Sequence, residues 1–270
     1  MQSLGNGSAA NSAPACRADL PPSHTAMLAT PNWLPRPAKL PLIRDEVHLW
    51  IVNLQRSSLQ IAGCFSLLND AEKNQAQRFV FEKDRNRFTV AHAILRLILG
   101  QYLEEPPETL EFTTGPMGKP ALPHNSPLRF NLSHSHHLIL YAFSLARELG
   151  VDIEKQRDQL VNQEIVRNCF STREQTEWNN LDPGLQETAF YLGWTRKEAY
   201  LKARGDGLLA SLCDFDVSLT PDQPAVLTSE DADRWDLVSF CPEPGSVASL
   251  VVEGKNYNLS HWEWREGLDL

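Results

Sequence analysis

The period of apolar positions changes several times along the chain, and each change predicts an element. Val47-His-Leu-Trp-Ile-Val-Asn-Leu54 is the first stretch rich in β-branched and aromatic residues with alternation, which predicts a strand. A short helix is expected near Asp70 to Gln77. From about Asp84 to Tyr102 the period becomes helical, with Phe88, Ala91, Leu95 and Ile98 in register and a stop at Gly100 or soon after. The middle of the chain reads as strand and turn: Leu110 to Thr114, Gly115 to Leu122, then Leu128 to Ser135. Glycines and prolines at 115, 116, 118 and 120 make the second of these a rigid loop that holds Lys119 from both sides. Leu138 to Leu145 is a nearly continuous apolar strand, and Gly150-Val-Asp-Ile-Glu154 a short alternating one. Helices are expected at about 163–170, 172–179 and 185–203, and strands at 215–219, 235–240, 246–252 and 257–264. Strand, helices and strands thus occur twice in order, without a repeat at the level of residues.

The segment Phe190 to Leu208 carries charge in an otherwise apolar helix. Phe190, Trp194 and Leu201 form one apolar face and Leu192, Ala199 and Ala203 another, so the helix is expected to be covered on two sides. Tyr191, Thr195, Glu198 and Lys202 fall in a polar stripe between them. Taken alone, Glu198 and Lys202 at i,i+4 read as a helix ion pair of about 0.3–0.5 kcal/mol. Gly205 and Gly207 suit a left-handed cap and a tight exit.

Residues 1–44 break the pattern. They are rich in Ser, Ala, Asn and Pro and predict a disordered or loosely packed arm, which Trp33 and Leu34 offer a means of docking. A chain of 270 residues can bury a core of one large domain or two small ones. A net charge of −9 argues against nucleic acid as a partner. Five cysteines without a C-x-x-C pair suggest neither a disulfide framework nor a thiolate zinc site, and read as reduced and cytoplasmic. No apolar run approaches the roughly twenty residues of a membrane span, so no membrane association is expected.

Against this acidity stands a basic island, Lys73, Arg78, Lys83, Arg85, Arg87 and Arg96, with only Glu82 and Asp84 opposing it. Each basic residue alone suits a solvated helix face, while together they suit a seat for several phosphates, whose oxygens match the planar fork of Arg. On the strand after Gly150, Val151 and Ile153 face the core while Asp152 and Glu154 share the opposite face, about 6–7 Å apart at Cα. With Glu198 they make three carboxylates suited to Mg²⁺ or Mn²⁺, which keep waters and take further ligands from substrate phosphates. Ser133-His-Ser-His-His137 is weak as a zinc site because no further His or Cys follows at the usual spacing. As a phosphate contact it is better placed, through Ser133 and His134. No G-x-S-x-G, Walker or Rossmann glycine pattern is present.

Four motifs in order, Gly118-Lys-Pro-Ala-Leu122, Phe130-Asn-Leu-Ser-His-Ser135, Gly150-Val-Asp-Ile-Glu-Lys155 and Trp194-Thr-Arg-Lys-Glu-Ala-Tyr-Leu-Lys202, resemble the 4′-phosphopantetheinyl transferases of the surfactin-synthetase-activating (Sfp) type. The resemblance covers about 47–264 and implies an α+β fold, a pseudo-dimer of two similar α+β halves with the active site in the cleft between them. The halves then span 45–148, with coenzyme A phosphate and adenine contacts, and 149–265, with metal and catalytic residues. The implied reaction is transfer of phosphopantetheine from coenzyme A to an apo acyl or peptidyl carrier protein by a monomer. Asp152, Glu154 and Glu198 match the metal site, with Glu198 also placed to deprotonate the attacking serine. Lys202 matches the group at the leaving phosphate, Lys119 and Pro120 the adenine-side wall, and Ser133 and His134 phosphate contacts. Arg87, and with it Arg78, match basic coenzyme A ligands. Where the family commonly has a further lysine, this chain has Gln75 and Gln77. Two other classes use the same residues: a metal-dependent phosphoesterase with His134 and His136 as extra ligands, and a catalytically silent module that docks carrier domains.

Overall fold

A computed structural model describes residues 28–36, 40, 42–54, 61–115, 118–123, 126–157, 161–207 and 211–265. Of the disordered or loosely packed arm expected over 1–44, residues 1–27, 37–39 and 41 lie outside them. In chain order the elements are β1 (Leu34–Pro35), β2 (Glu46–Asn53), α1 (Ile61–Leu67), α2 (Asp70–Gln77), α3 (Glu82–Leu103), β3 (Thr113–Thr114), β4 (Pro120–Ala121), β5 (Leu128–Ser135) and β6 (Leu138–Leu145). There follow β7 (Leu149–Lys155), α4 (Gln163–Cys169), α5 (Thr172–Asn180), α6 (Pro183–Arg204), β8 (Asp216–Val217), β9 (Leu227–Thr228), β10 (Trp235–Phe240), β11 (Ser246–Glu253) and β12 (Asn258–Glu263).

Local chemistry sets the helix ends. Asn69 and Ser171 each form a capping box with the glutamate three residues on, starting α2 and α5. Asp182 caps α6 through the Gly184 amide with Pro183 at the first helical position, and Gly205 ends that helix at φ 76°. Helix α1 is absent from the sequence expectations, and the strand expected at 110–114 reduces to its last two residues, which pair with Pro120 and Ala121.

The two halves share one topology. In the first, the strands β2, β5 and β6 stand in the order β2-β6-β5 with α3 supplied between β2 and β5. In the second, β7, β10 and β11 stand in the order β7-β11-β10, and α6 lies between β7 and β10 in sequence. Neighbouring strands are antiparallel in both. This is the expected α+β pair of halves, repeated in topology rather than in residues. One strand crosses over: β12 pairs parallel to β2, and β1 pairs parallel to β12, giving the five-stranded order β1-β12-β2-β6-β5.

Alternation along the strands explains the layering. Trp50, Val52, Tyr141 and Phe143 turn to α3, whereas Val47, Leu49, Ile51, Leu138 and Leu140 turn to the second sheet. There they meet Val151, Ile153, Leu250 and Val252, while Val247, Val251 and Leu237 on the other face pack with α6. The layers therefore run α3, first sheet, second sheet, α6.

The segment before β1 crosses these layers as a strap. Ala29 accepts the Cys241 amide at 3.0 Å, Trp33 stands edge-on to Phe240 and His261, and Arg36 donates to Gln101 on α3 at 2.7 Å. Docking through Trp33 matches the sequence expectation, and Leu34 enters the sheet as part of β1 with its side chain 45% exposed.

Candidate functional site

Helix α6 lies directly on β7, and Gly150 is what permits it. A Cβ at that position would stand 2.1 Å from the Ala199 carbonyl oxygen and 2.3 Å from the Ala203 nitrogen. The same approach brings the polar stripe of α6 against β7 rather than toward solvent. Thr195 is fully buried and shares a 2.9 Å hydrogen bond with Ser249, which pairs with Asp152 in the ladder.

Lys202 departs from the expected helix pairing. Its Nζ donates to Asp152 Oδ1 at 2.6 Å, to Ser133 Oγ at 3.1 Å and to the Val151 carbonyl at 3.3 Å, instead of pairing with Glu198. Packing of α6 on β7 thus overrides an i,i+4 contact worth only a few tenths of a kcal/mol. Asp152 is buried, and its Oδ2 has no hydrogen-bond partner among the described residues. Glu154 and Glu198 are half-buried, and both carboxyls are held above the usual carboxylate range, by burial first and then by repulsion from Asp152. Ser135 opposes the shift at Glu154 by donating to Oε2, and Lys202 opposes it at Glu198.

Around this acidic group stands positive charge. His134 is exposed on the strand face opposite Ser133; partial burial and then the charge of Arg87 lower its imidazole pKa. Arg87 on α3 pairs weakly with Asp84 at 3.8 Å. Lys119 donates to the Leu149 carbonyl at 3.0 Å and faces Glu148 at 3.6 Å; burial lowers its pKa against that carboxylate. A cavity of about 450 Å³ lies between the halves, walled by Lys119, Pro120 and Asn131 from the first and by Trp194, Glu198 and Lys202 from the second. The structure therefore gathers Ser133, Asp152, Glu154, Glu198 and Lys202, with Lys119 and Pro120 across the cavity. Arg87 and His134 lie within electrostatic reach of the group, whereas Arg78 is exposed at the end of α2 with no described contact to it.

Two further expectations change. Ser133 is turned inward, engaged by Asp152 and Lys202. Arg96 leaves the basic island: fully buried, it donates to Glu72 at 2.7 Å and to the carbonyls of Pro107 and Leu110. Sequence reasoning also passed over the buried charges behind the site. Lys197, next to Glu198, donates to Glu174 at 2.8 Å and to the carbonyls of Leu212 and Phe215, and Arg196 donates to Ser218 and Ser239. The signal for Asn131 and Ser135 was present as polar residues at two-residue spacing along β5, opposite the carboxylates of β7.

Among the described residues no three His, Cys, Asp or Glu groups are already drawn together tightly enough to hold a metal ion, and none completes a site with His134 and His136. The donor set of Asp152, Glu154 and Glu198 still fits a hard cation. The unpartnered Asp152 oxygen and the mutual repulsion of the three carboxylates are what a cation relieves, and Mg²⁺ takes few protein ligands.

Comparison with known proteins adds a family. Residues 54–145 match the model described as 4′-phosphopantetheinyl transferase, N-terminal, and residues 148–257 match that of the 4′-phosphopantetheinyl transferase superfamily. The 4′-phosphopantetheinyl transferase HetI of Nostoc sp. is 37% identical over 236 residues, covering 86% of this chain and 98% of that one. The chain belongs to the 4′-phosphopantetheinyl transferase superfamily. Two further phosphopantetheinyl transferases align over shorter stretches. Sfp of Bacillus subtilis is 29% identical over 58% of this chain and 69% of its own, and AcpT of Salmonella typhi 39% identical over 41% and 56%. In this phosphopantetheinyl transferase the two family models meet between β6 and β7, so the cavity lies where the matched regions face each other.

Proposed function

We propose that the protein transfers the 4′-phosphopantetheine arm of coenzyme A to a serine hydroxyl of an apo acyl or peptidyl carrier protein, as an Sfp-type enzyme. Adenosine 3′,5′-bisphosphate is the second product. The observation that carries this reading is the joining of Asp152 to Lys202, which with Glu198 lines the cavity, while Asp152 repels both Glu154 and Glu198 and keeps one oxygen without a partner among the described residues.

In this reading the carrier's serine oxygen forms a bond to the phosphorus nearest the pantetheine. The bond from that phosphorus to the bridging pyrophosphate oxygen breaks. Glu198 takes the serine proton; a carboxyl held above its ordinary range is a stronger base once ionised. Lys202 donates to the departing phosphate, where charge develops. His134, kept neutral by burial and by Arg87, donates a single hydrogen bond to phosphate, and Arg87 supplies a charged fork. Arg78 adds a more distant positive charge, Ser133 orients Asp152, and Lys119 and Pro120 form the adenine-side wall. Asp152, Glu154 and Glu198 hold Mg²⁺ or Mn²⁺, which when bound supplies positive charge to the pyrophosphate. The first half, 45–148, thus carries coenzyme A contacts and the second, 149–265, the metal and proton-transfer groups. The enzyme acts in the cytoplasm as a monomer, since the two halves complete one site within a chain.

Intact-mass spectrometry of apo carrier proteins tests the reading, with the protein, coenzyme A and Mg²⁺. A gain equal to one phosphopantetheine group that disappears with EDTA is the expected result. No gain on carriers of fatty-acid, polyketide and nonribosomal-peptide type, with coenzyme A hydrolysed instead, overturns it in favour of a phosphoesterase.

A further inference from the structure

Beside the apolar core between the two sheets, β5 and β7 lie next to each other, and side chains rather than a backbone ladder join them there. Asn131, Ser133 and Ser135 occupy one face of β5 at two-residue spacing. Asn131 Oδ1 accepts the Val151 amide at 2.9 Å, and Ser133 Oγ donates to Asp152 Oδ1 at 2.7 Å. Ser135 Oγ donates to Glu154 Oε2 at 2.7 Å and accepts the Lys155 amide at 3.0 Å. A serine hydroxyl has one proton to give, so one donation and one acceptance in a side chain only 5% exposed fix its orientation. Each strand carboxylate therefore has one oxygen tied to a serine, and on Asp152 the other oxygen is buried without a partner.

We propose that Ser135 is a positioning residue that holds Glu154 as a one-oxygen ligand and thereby selects a small octahedral cation over Ca²⁺. This rests on the metal reading of Asp152, Glu154 and Glu198. Ca²⁺ takes six to eight oxygens and readily accepts bidentate carboxylates, whereas Mg²⁺ keeps near-octahedral geometry with few protein ligands. The bond from Ser135 takes one lone pair of Glu154 Oε2 and fixes the rotation of the carboxylate, so turning both oxygens to one cation strains that bond. Ser133 ties Asp152 in the same way but also touches Lys202, so its removal disturbs two groups. Among the described residues the Ser135 hydroxyl bonds Glu154 and one backbone amide and does not touch Lys202, which makes it the cleaner probe.

The test is Mn²⁺ binding to the full chain, followed by the electron paramagnetic resonance of free Mn²⁺, with Mg²⁺ and Ca²⁺ as competitors. Ser135→Ala is expected to weaken Mn²⁺ binding about 10–100-fold, the range for partners that orient metal ligands, and to erode the preference for Mg²⁺ over Ca²⁺. Ser135→Thr, which keeps the hydroxyl, restores both. Melting in EDTA separates this from a folding defect, and Ser135→Cys, a weak donor, takes the place of Ser135→Ala should that variant not fold. Asp152→Ala is the control for the metal site itself. Should it bind Mn²⁺ as the wild type does, the metal reading fails and this proposal with it. Should Asp152→Ala lose binding while Ser135→Ala keeps wild-type affinity and preference, the proposal alone is overturned.

Discussion

Asp152 receives Ser133 and Lys202 on one oxygen and nothing on the other, and it raises the pKa of both neighbouring carboxyls. Asp152→Ala and Glu198→Ala are each expected to lower transfer by about 10²–10⁴-fold at saturating Mg²⁺ with the circular dichroism unchanged. Glu198 also makes a pH prediction. Because its carboxyl is raised above the unfolded value, the folded state holds that proton more tightly. Stability from this group is greatest below the ordinary glutamate pKa, declines as pH climbs through the raised value, and is flat above it. Glu198→Gln is therefore expected to raise the melting temperature in EDTA near neutral pH, by on the order of 2 °C. The gain should disappear near pH 4; an equal gain at both ends of a pH series of melts rejects the cause given. Asp152, Glu154 and Glu198 were legible because strand and helix periods state which face each occupies. Lys202's partner was not, since only the seating of α6 on β7 decides between Glu198 and Asp152.

At the scale of elements, α6 depends on a glycine in another element. Gly150→Ala places a methyl group inside the van der Waals contact of the Ala199 carbonyl and the Ala203 amide, so the helix has to move. Overpacking of this kind costs about 1–3 kcal/mol. Urea melts should show that loss, and transfer should fall with it because Glu198 and Lys202 ride on the displaced helix. Most element positions followed from periodicity, including β5, β6 and β10. Helix α1 escaped because Gly63 and Ser66 interrupt a seven-residue apolar run too short to show a period. Arg196 and Lys197 are buried, and their partners Glu174, Ser218 and Ser239 are distant in sequence. No local pattern announces such a partner.

At the scale of the molecule, the repeat of strand, helices and strands was legible as an order of elements, and shared topology gives it a three-dimensional form. The strap before β1 was legible only as one tryptophan in a proline-rich stretch. Trp33→Ala removes its contacts with Phe240 and His261 and its hydrogen bond to Pro242. The expected loss is roughly 2 kcal/mol, below the 3–5 of a fully buried aromatic, read as a shift in the urea midpoint at constant slope.

The placement of β12 beside β2 has a consequence for how the chain comes into being. During synthesis the first half emerges with β2 lacking its parallel neighbour, and that neighbour is made only after Asn258 leaves the ribosome. Until then the nascent protein carries an open strand edge of the kind that pairs with other chains. Closing it joins residues more than two hundred positions apart, a slow step in chains dominated by distant contacts. Vulnerability to aggregation is thus concentrated in translation, before the last strand is threaded home.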